Sequence, residues 1–144
     1  MYPSLSGLPL FRDFVTLYIA EGYKRSRNEV AICNSDPAIV KLANAWISRF
    51  ARNPIRYNVQ FHADQNVAGL IAFWADQLGV LPTVVRLVPK SNSGRLSGRT
   101  WRCEHGVLQV ATTDTYLRAR LQAWIDCLQT DWLDSVSRGV AQPG

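Results

Sequence analysis

The stretch "FVTLYIAEGYK", residues 14–24, is an apolar run that closes on Glu21 and Gly22. The unpaired carbonyls of a helix C-terminus already carry partial negative charge, so an acid there is disfavoured by roughly 0.3–1 kcal/mol. Something positive should compensate Glu21, and two chemistries would do so. The first is an ion pair with Lys24, Arg25 or Arg27, which follow at once, contributing roughly 0–1 kcal/mol at an exposed site. The second is a divalent cation. Thr16 and Ala20 are small residues four apart, and Gly22 extends that side, so another helix can approach closely. If that helix comes from a second copy of the chain, two-fold symmetry brings two Glu21 carboxylates together. Two such like charges need a cation or a proton. Mg²⁺ takes one or two carboxylates plus waters and phosphate oxygens.

A second group of residues points to a polyanion. The net charge is +5, from 16 basic and 11 acidic residues. The excess is concentrated between Gly22 and Arg102, where 12 Lys and Arg stand against 4 Asp and Glu. From Cys103 onward five acids outnumber Arg118, Arg120 and Arg138. Lys24, Arg25 and Arg27 open the basic section. In "IRYNVQFH" apolar and polar residues alternate, which sets Arg56, Asn58, Gln60 and His62 on one polar strand face. "TVVRLVPK" reads as another strand, with Arg86 and Lys90 on the side of Val84 and Val88. The acid-free loop "KSNSGRLSGRTWR" adds Arg95, Arg99 and Arg102 around Trp101. In the major groove Arg and Lys read guanine while Asn and Gln read adenine, and a mobile basic loop suits phosphates. These residues are the expected DNA contacts.

The elements that must position them follow from periodicity. A first helix is expected over about Leu8 to Glu21, with Pro9 in its first turn and Gly22 just past its end. It is apolar on nearly every side, which implies burial on more than one face. A short strand "EVAICNSD" leads to Asp36-Pro37, a cap and first residue for a second helix striped by Ile39, Leu42, Ala43, Trp46, Ile47 and Phe50. Asp64 is placed to cap a third helix with Val67, Leu70, Ile71, Trp74 and Leu78 inward. A strand "GVLQVATT" precedes a last helix from about Asp114, and a tail over 133–144 is expected to fray. The order is α-β-α-β-α-β-β-α, with a further short strand at "YKRS". Such an order implies an α+β protein whose antiparallel or mixed sheet carries helices on one face and leaves the other open. One domain is expected over residues 1–144, with its core at about 8–130.

At 47% hydrophobic and 19% charged residues the chain has the composition of a folded protein. No apolar run reaches the 18 or more residues that span a bilayer, and "MYPSLSGLPLF" lacks the charged and apolar regions of a secretory signal. Three cysteines without paired spacing suggest reduced thiols and a cytoplasmic location. Cys103, His105 and His62 are weak zinc candidates for the same reason. No Ser-His-Asp set, phosphate loop or dinucleotide motif is present.

Read in register, Phe14 to Gly22 resembles the nine-residue motif of the LAGLIDADG homing-endonuclease superfamily, with Leu17 as its central leucine and Ala20-Glu21-Gly22 as its close. "NEVAICNSDPAIVKLANAWI" and "FHADQNVAGLIAFWADQLGV" are similar to later segments of bacterial LAGLIDADG-like domains, so the resemblance covers roughly residues 8 to 130. It implies a saddle-shaped sheet over double-stranded DNA, a homodimer joined through Thr16, Ala20 and Gly22, and divalent-metal-dependent strand cleavage with Glu21 holding Mg²⁺. The alternative is a non-cleaving DNA-binding regulator of the same fold. Thr16 replaces a glycine of the motif, which holds the two helices further apart. The expected order also has one helix more than the αββαββα core of the nucleases. "AGLIAFWAD" at Ala68 to Asp76 looks closer to the family's name, yet no glycine follows Asp76 and its apolar residues form one core stripe.

Overall fold

Alternating segments become four strands: β1 (Glu29–Asn34), β2 (Ile55–Phe61), β3 (Val85–Pro89) and β4 (Val107–Thr113). They form one mixed sheet in the order β1-β4-β2-β3, in a computed structural model that describes residues 2–62, 64–89 and 104–140. Lys90, Arg95, Arg99, Trp101, Arg102 and Cys103 lie outside the described residues. Strand β4 runs antiparallel to both its neighbours, whereas β2 and β3 are parallel. A parallel pair needs a crossover, and α4 (Val67–Leu78) supplies it. The other helices are α1 (Tyr2–Leu5), α2 (Phe11–Glu21), α3 (Pro37–Phe50) and α5 (Thr115–Val140). From α2 onward the order is the expected α-β-α-β-α-β-β-α, and the architecture is α+β.

The register separates the two sheet faces. Ile32, Val110, Tyr57 and Val85 share one cross-sheet row, and Leu108 and Val59 belong to the next. All six are buried under the helices. The row between them holds Cys33, Gln109, Asn58 and Arg86, which are half-buried or exposed. Helices therefore cover one face and leave the other open. Three of them are locked together by aromatic rings. Phe11 of α2 meets Trp46 of α3 at 5.3 Å and Trp124 of α5 at 5.1 Å, both edge-on. Such pairs contribute about 0.5–1.5 kcal/mol beyond burial.

Local signals set the boundaries. Asp36 accepts the Ala38 N–H at 2.9 Å, with Pro37 in the first turn of α3. At α4 the cap is Asn66, which accepts the Gly69 N–H at 3.2 Å, and not Asp64. Gly79 ends α4 with φ 67°, a left-handed conformation that favours glycine. Leu70, Trp74 and Ala75 of this helix are buried, and the Trp74 indole N–H donates to the His105 carbonyl at 2.7 Å. "AGLIAFWAD" is thus an ordinary core helix. Helix α2 starts at Phe11 instead of Leu8, because Leu10 takes a positive φ of 70° at its N-cap. Helix α5 continues to Val140 and does not fray after Trp132. No proline interrupts it, although Leu133 and Val136 are exposed beyond the core. Among the described residues no helix is long and apolar enough to cross a membrane.

Candidate nucleic-acid interface

Helix α2 buries Phe11, Phe14, Val15 and Tyr18 and exposes Thr16, Ala20 and Glu21. One side is therefore free, while packing against α3, α5 and β1 buries more than one face, as its composition implied. Thr16 and Ala20 share that side. Gly22 does not, since a Cβ there would run into the Tyr18 ring of its own subunit. The charge at the helix C-terminus is answered by Lys24. Its ammonium donates to the carbonyls of Gly22 at 2.7 Å, Ile19 at 2.9 Å and Tyr18 at 3.3 Å. Glu21 itself makes no ion pair within 4 Å among the described residues. No group of three His, Cys, Asp or Glu side chains that could hold a metal occurs among them either. One carboxylate fits Mg²⁺ only if waters, phosphate oxygens or a second Glu21 complete the coordination. His62 and His105 do not come together in such a group.

Tyr18 positions the start of the basic segment. Its hydroxyl donates to the Tyr23 carbonyl at 2.6 Å and accepts the Ala31 N–H at 3.2 Å, while the Tyr23 N–H donates to the Ala31 carbonyl at 2.8 Å. With the Gly22–Ile32 bridge, this satisfies part of the outer edge of β1. The expected extra strand at "YKRS" does not form: the bridge falls at Gly22, just before it, and only the Tyr23 N–H reaches β1. Burial raises the Tyr18 phenol above its ordinary value of 10.0. A raised phenol contributes stability that is fully present below pH 10 and is lost as pH rises through the folded value. We expect the urea midpoint to fall above pH 10. In Tyr18→Phe that fall should be shallower, on a baseline lowered by about 1–3 kcal/mol for the stranded polar groups.

On the open face, Arg56 donates to Glu29 Oε1 at 2.7 Å and to Thr113 Oγ1 at 3.1 Å. Asn58 donates to Gln109 Oε1 at 3.0 Å. Gln60 stands beside Val107 and Val88, and Arg86 is exposed on the edge strand. Glu29 is the sole acid on this face among the described strand residues, and Arg56 neutralises it. Arg25 and Arg27 are exposed in the segment that leads into β1. His62 departs from expectation: it is only 5% exposed. The strand ends at Phe61 and the chain turns there, with the His62 N–H donating to Gln65 Oε1 at 2.8 Å and its carbonyl accepting the Gln65 N–H at 3.0 Å. The alternation that set His62 beside Arg56 stops one residue too early to present it on the open face.

Two residues that the sequence did not single out for chemistry organise the end of the sheet nearest Arg25 and Arg27. Asp114, only 3% exposed, caps α5 by accepting the Leu117 N–H at 2.9 Å, and its other oxygen accepts the Arg52 N–H at 2.8 Å. Arg118 is 6% exposed, inside the stripe formed by Leu117, Leu121, Trp124 and Leu128. A cation falling in that stripe was the available signal. No protein-family model, curated protein or solved structure matches the chain.

Proposed function

We propose that the protein binds double-stranded DNA across its open sheet face. The observation that carries this reading is the charge pattern of that face: amide side chains in its middle, an exposed Arg86 at one edge, Arg25 and Arg27 beside the other, and no unpaired acid among the described strand residues. Phosphate contacts would come from these three cations and Lys24. The base-edge readers would be Asn58, Gln60 and Arg56, the last after exchanging Glu29 for a guanine. Lys90, Arg95, Arg99 and Arg102, outside the described residues, would add further phosphate contacts, as their charge implies. An intracellular, cytoplasmic location belongs to this reading and agrees with the free thiols of Cys33 and Cys127.

Whether the protein also cuts depends on a second copy. The exposed Thr16–Ala20 side of α2 ends at Glu21, so a two-fold homodimer through that side would place two carboxylates at the scissile phosphates. Mg²⁺ bound between them would supply Lewis-acid chemistry and an activated water, as the LAGLIDADG resemblance implies. With no such dimer the protein is a non-cleaving regulator. The test incubates supercoiled and randomised linear DNA with protein in Mg²⁺ and in EDTA. Metal-dependent cleavage that disappears in Glu21→Gln, with DNA affinity unchanged, is the expected result for the nuclease. Cleavage that survives in Glu21→Gln would overturn the assignment of Glu21.

A further inference from the structure

Between the 24–27 segment and the first turns of α5 lies a groove of about 500 Å³, lined by Lys24, Arg25, Arg27, Thr115, Arg118 and Gln122. That volume falls in the range of small-ligand clefts, about 300–1,000 Å³. Four of its lining residues are cationic and none is acidic. Two of the cations are held in place. Lys24 is tied to the carbonyls at the end of α2. Arg118 is almost wholly buried, and its Nη1 donates to Gln122 Oε1 at 3.2 Å. Its Nε–H has no partner among the described residues. The Thr115 hydroxyl donates to Asn28 Oδ1 at 2.9 Å and so pins the segment against the helix.

A guanidinium withdrawn from water is costly unless a negative group pairs with it. Among the described residues no carboxylate does so: Asp126, one turn beyond Gln122, accepts from the Gln122 amide instead. Nε itself is sealed from solvent, so a phosphate in the groove would meet the terminal nitrogens of the guanidinium. We propose that this groove binds a phosphate monoester, with Arg118 as its buried donor and Lys24, Arg25 and Arg27 closing over it. The ester can be a free mononucleotide or the terminal 5′-phosphate of a nucleic-acid strand. The site shares Lys24, Arg25 and Arg27 with the duplex-binding surface proposed above and adds Arg118 and Gln122, which that surface does not use.

The test is thermal unfolding in inorganic phosphate against chloride of matched ionic strength. The wild type should gain about 3 °C or more in phosphate. Ala119→Glu places a carboxylate on the groove wall at an exposed helix position; its melting temperature in chloride should be unchanged and its phosphate response lost. Arg118→Met should also lose the response while remaining folded, because an apolar side chain of similar length relieves the buried charge. No response in the wild type, or a full response in both variants, would overturn the proposal. Binding of adenosine 5′-monophosphate and of an oligonucleotide with either a 5′-phosphate or a 5′-hydroxyl then separates the sources. Preference for the 5′-phosphorylated strand assigns a strand end, and stronger mononucleotide binding assigns a free ester. Equal binding of the two oligonucleotides without any mononucleotide response would count against a monoester site.

Discussion

Asp114→Ala should destabilise the protein by about 3 kcal/mol, read as a lower urea midpoint at unchanged slope. The carboxylate caps α5 through the Leu117 N–H, and loss of such a cap costs about 1–2 kcal/mol. It also accepts the Arg52 N–H, joining the end of α3 to the start of α5, and a hydrogen bond to a charged group is worth about 1.5–3 kcal/mol. The Leu117 N–H is buried, so alanine leaves it without a partner, whereas the Arg52 N–H is only partly buried. Asp114→Asn keeps one acceptor and should cost about half as much. A change below about 0.5 kcal/mol in the alanine variant would mean that water or another side chain takes over both bonds.

Reversing two charges, Arg25→Glu with Arg27→Glu, should weaken duplex binding by about a hundredfold or more at low salt. Each phosphate that the protein no longer neutralises flattens the plot of log K against log salt by about 0.9, so the slope should fall by about 2 in magnitude. Both side chains are exposed and neither makes an ion pair among the described residues. The fold should therefore tolerate the double substitution. Fluorescence anisotropy across a salt series measures both quantities. An unchanged slope would remove Arg25 and Arg27 from the groups that touch phosphate and leave Arg86 and the strand residues to account for any binding.

The element order was legible because each element carries its own period and punctuation. The Asp36-Pro37 start of α3 and the alternation of β2 are local chemistry, and both occur where residue types place them. The sheet order was not legible. Inserting β4 between β1 and β2 is decided by pairing between segments distant in the chain, such as Arg56 with Ala111. The turn that buries His62 depends on Gln65, three residues away, and leaves no mark in the strand alternation. Glu21 and Lys24 were legible as a charge problem and a candidate answer; the ammonium solves it by binding the helix carbonyls and not the carboxylate. Arg118 looked like surface charge because residue type favours exposure, and only the packing of α5 buries it. The resemblance at Phe14 to Gly22 rests on nine residues whose exposed side, Thr16 and Ala20, is also what a solvent-facing helix would carry.

The proposed function is duplex DNA binding by the open sheet face and its flanking cations. Its most direct test is the anisotropy of a labelled random-sequence duplex titrated with wild-type protein from low to physiological salt, in EDTA so that no cleavage intervenes. Binding that weakens steeply with salt, and that is reduced further in Arg86→Ala, is the predicted result. Absence of binding at low salt with tens of micromolar protein, or an affinity indifferent to salt, would contradict it.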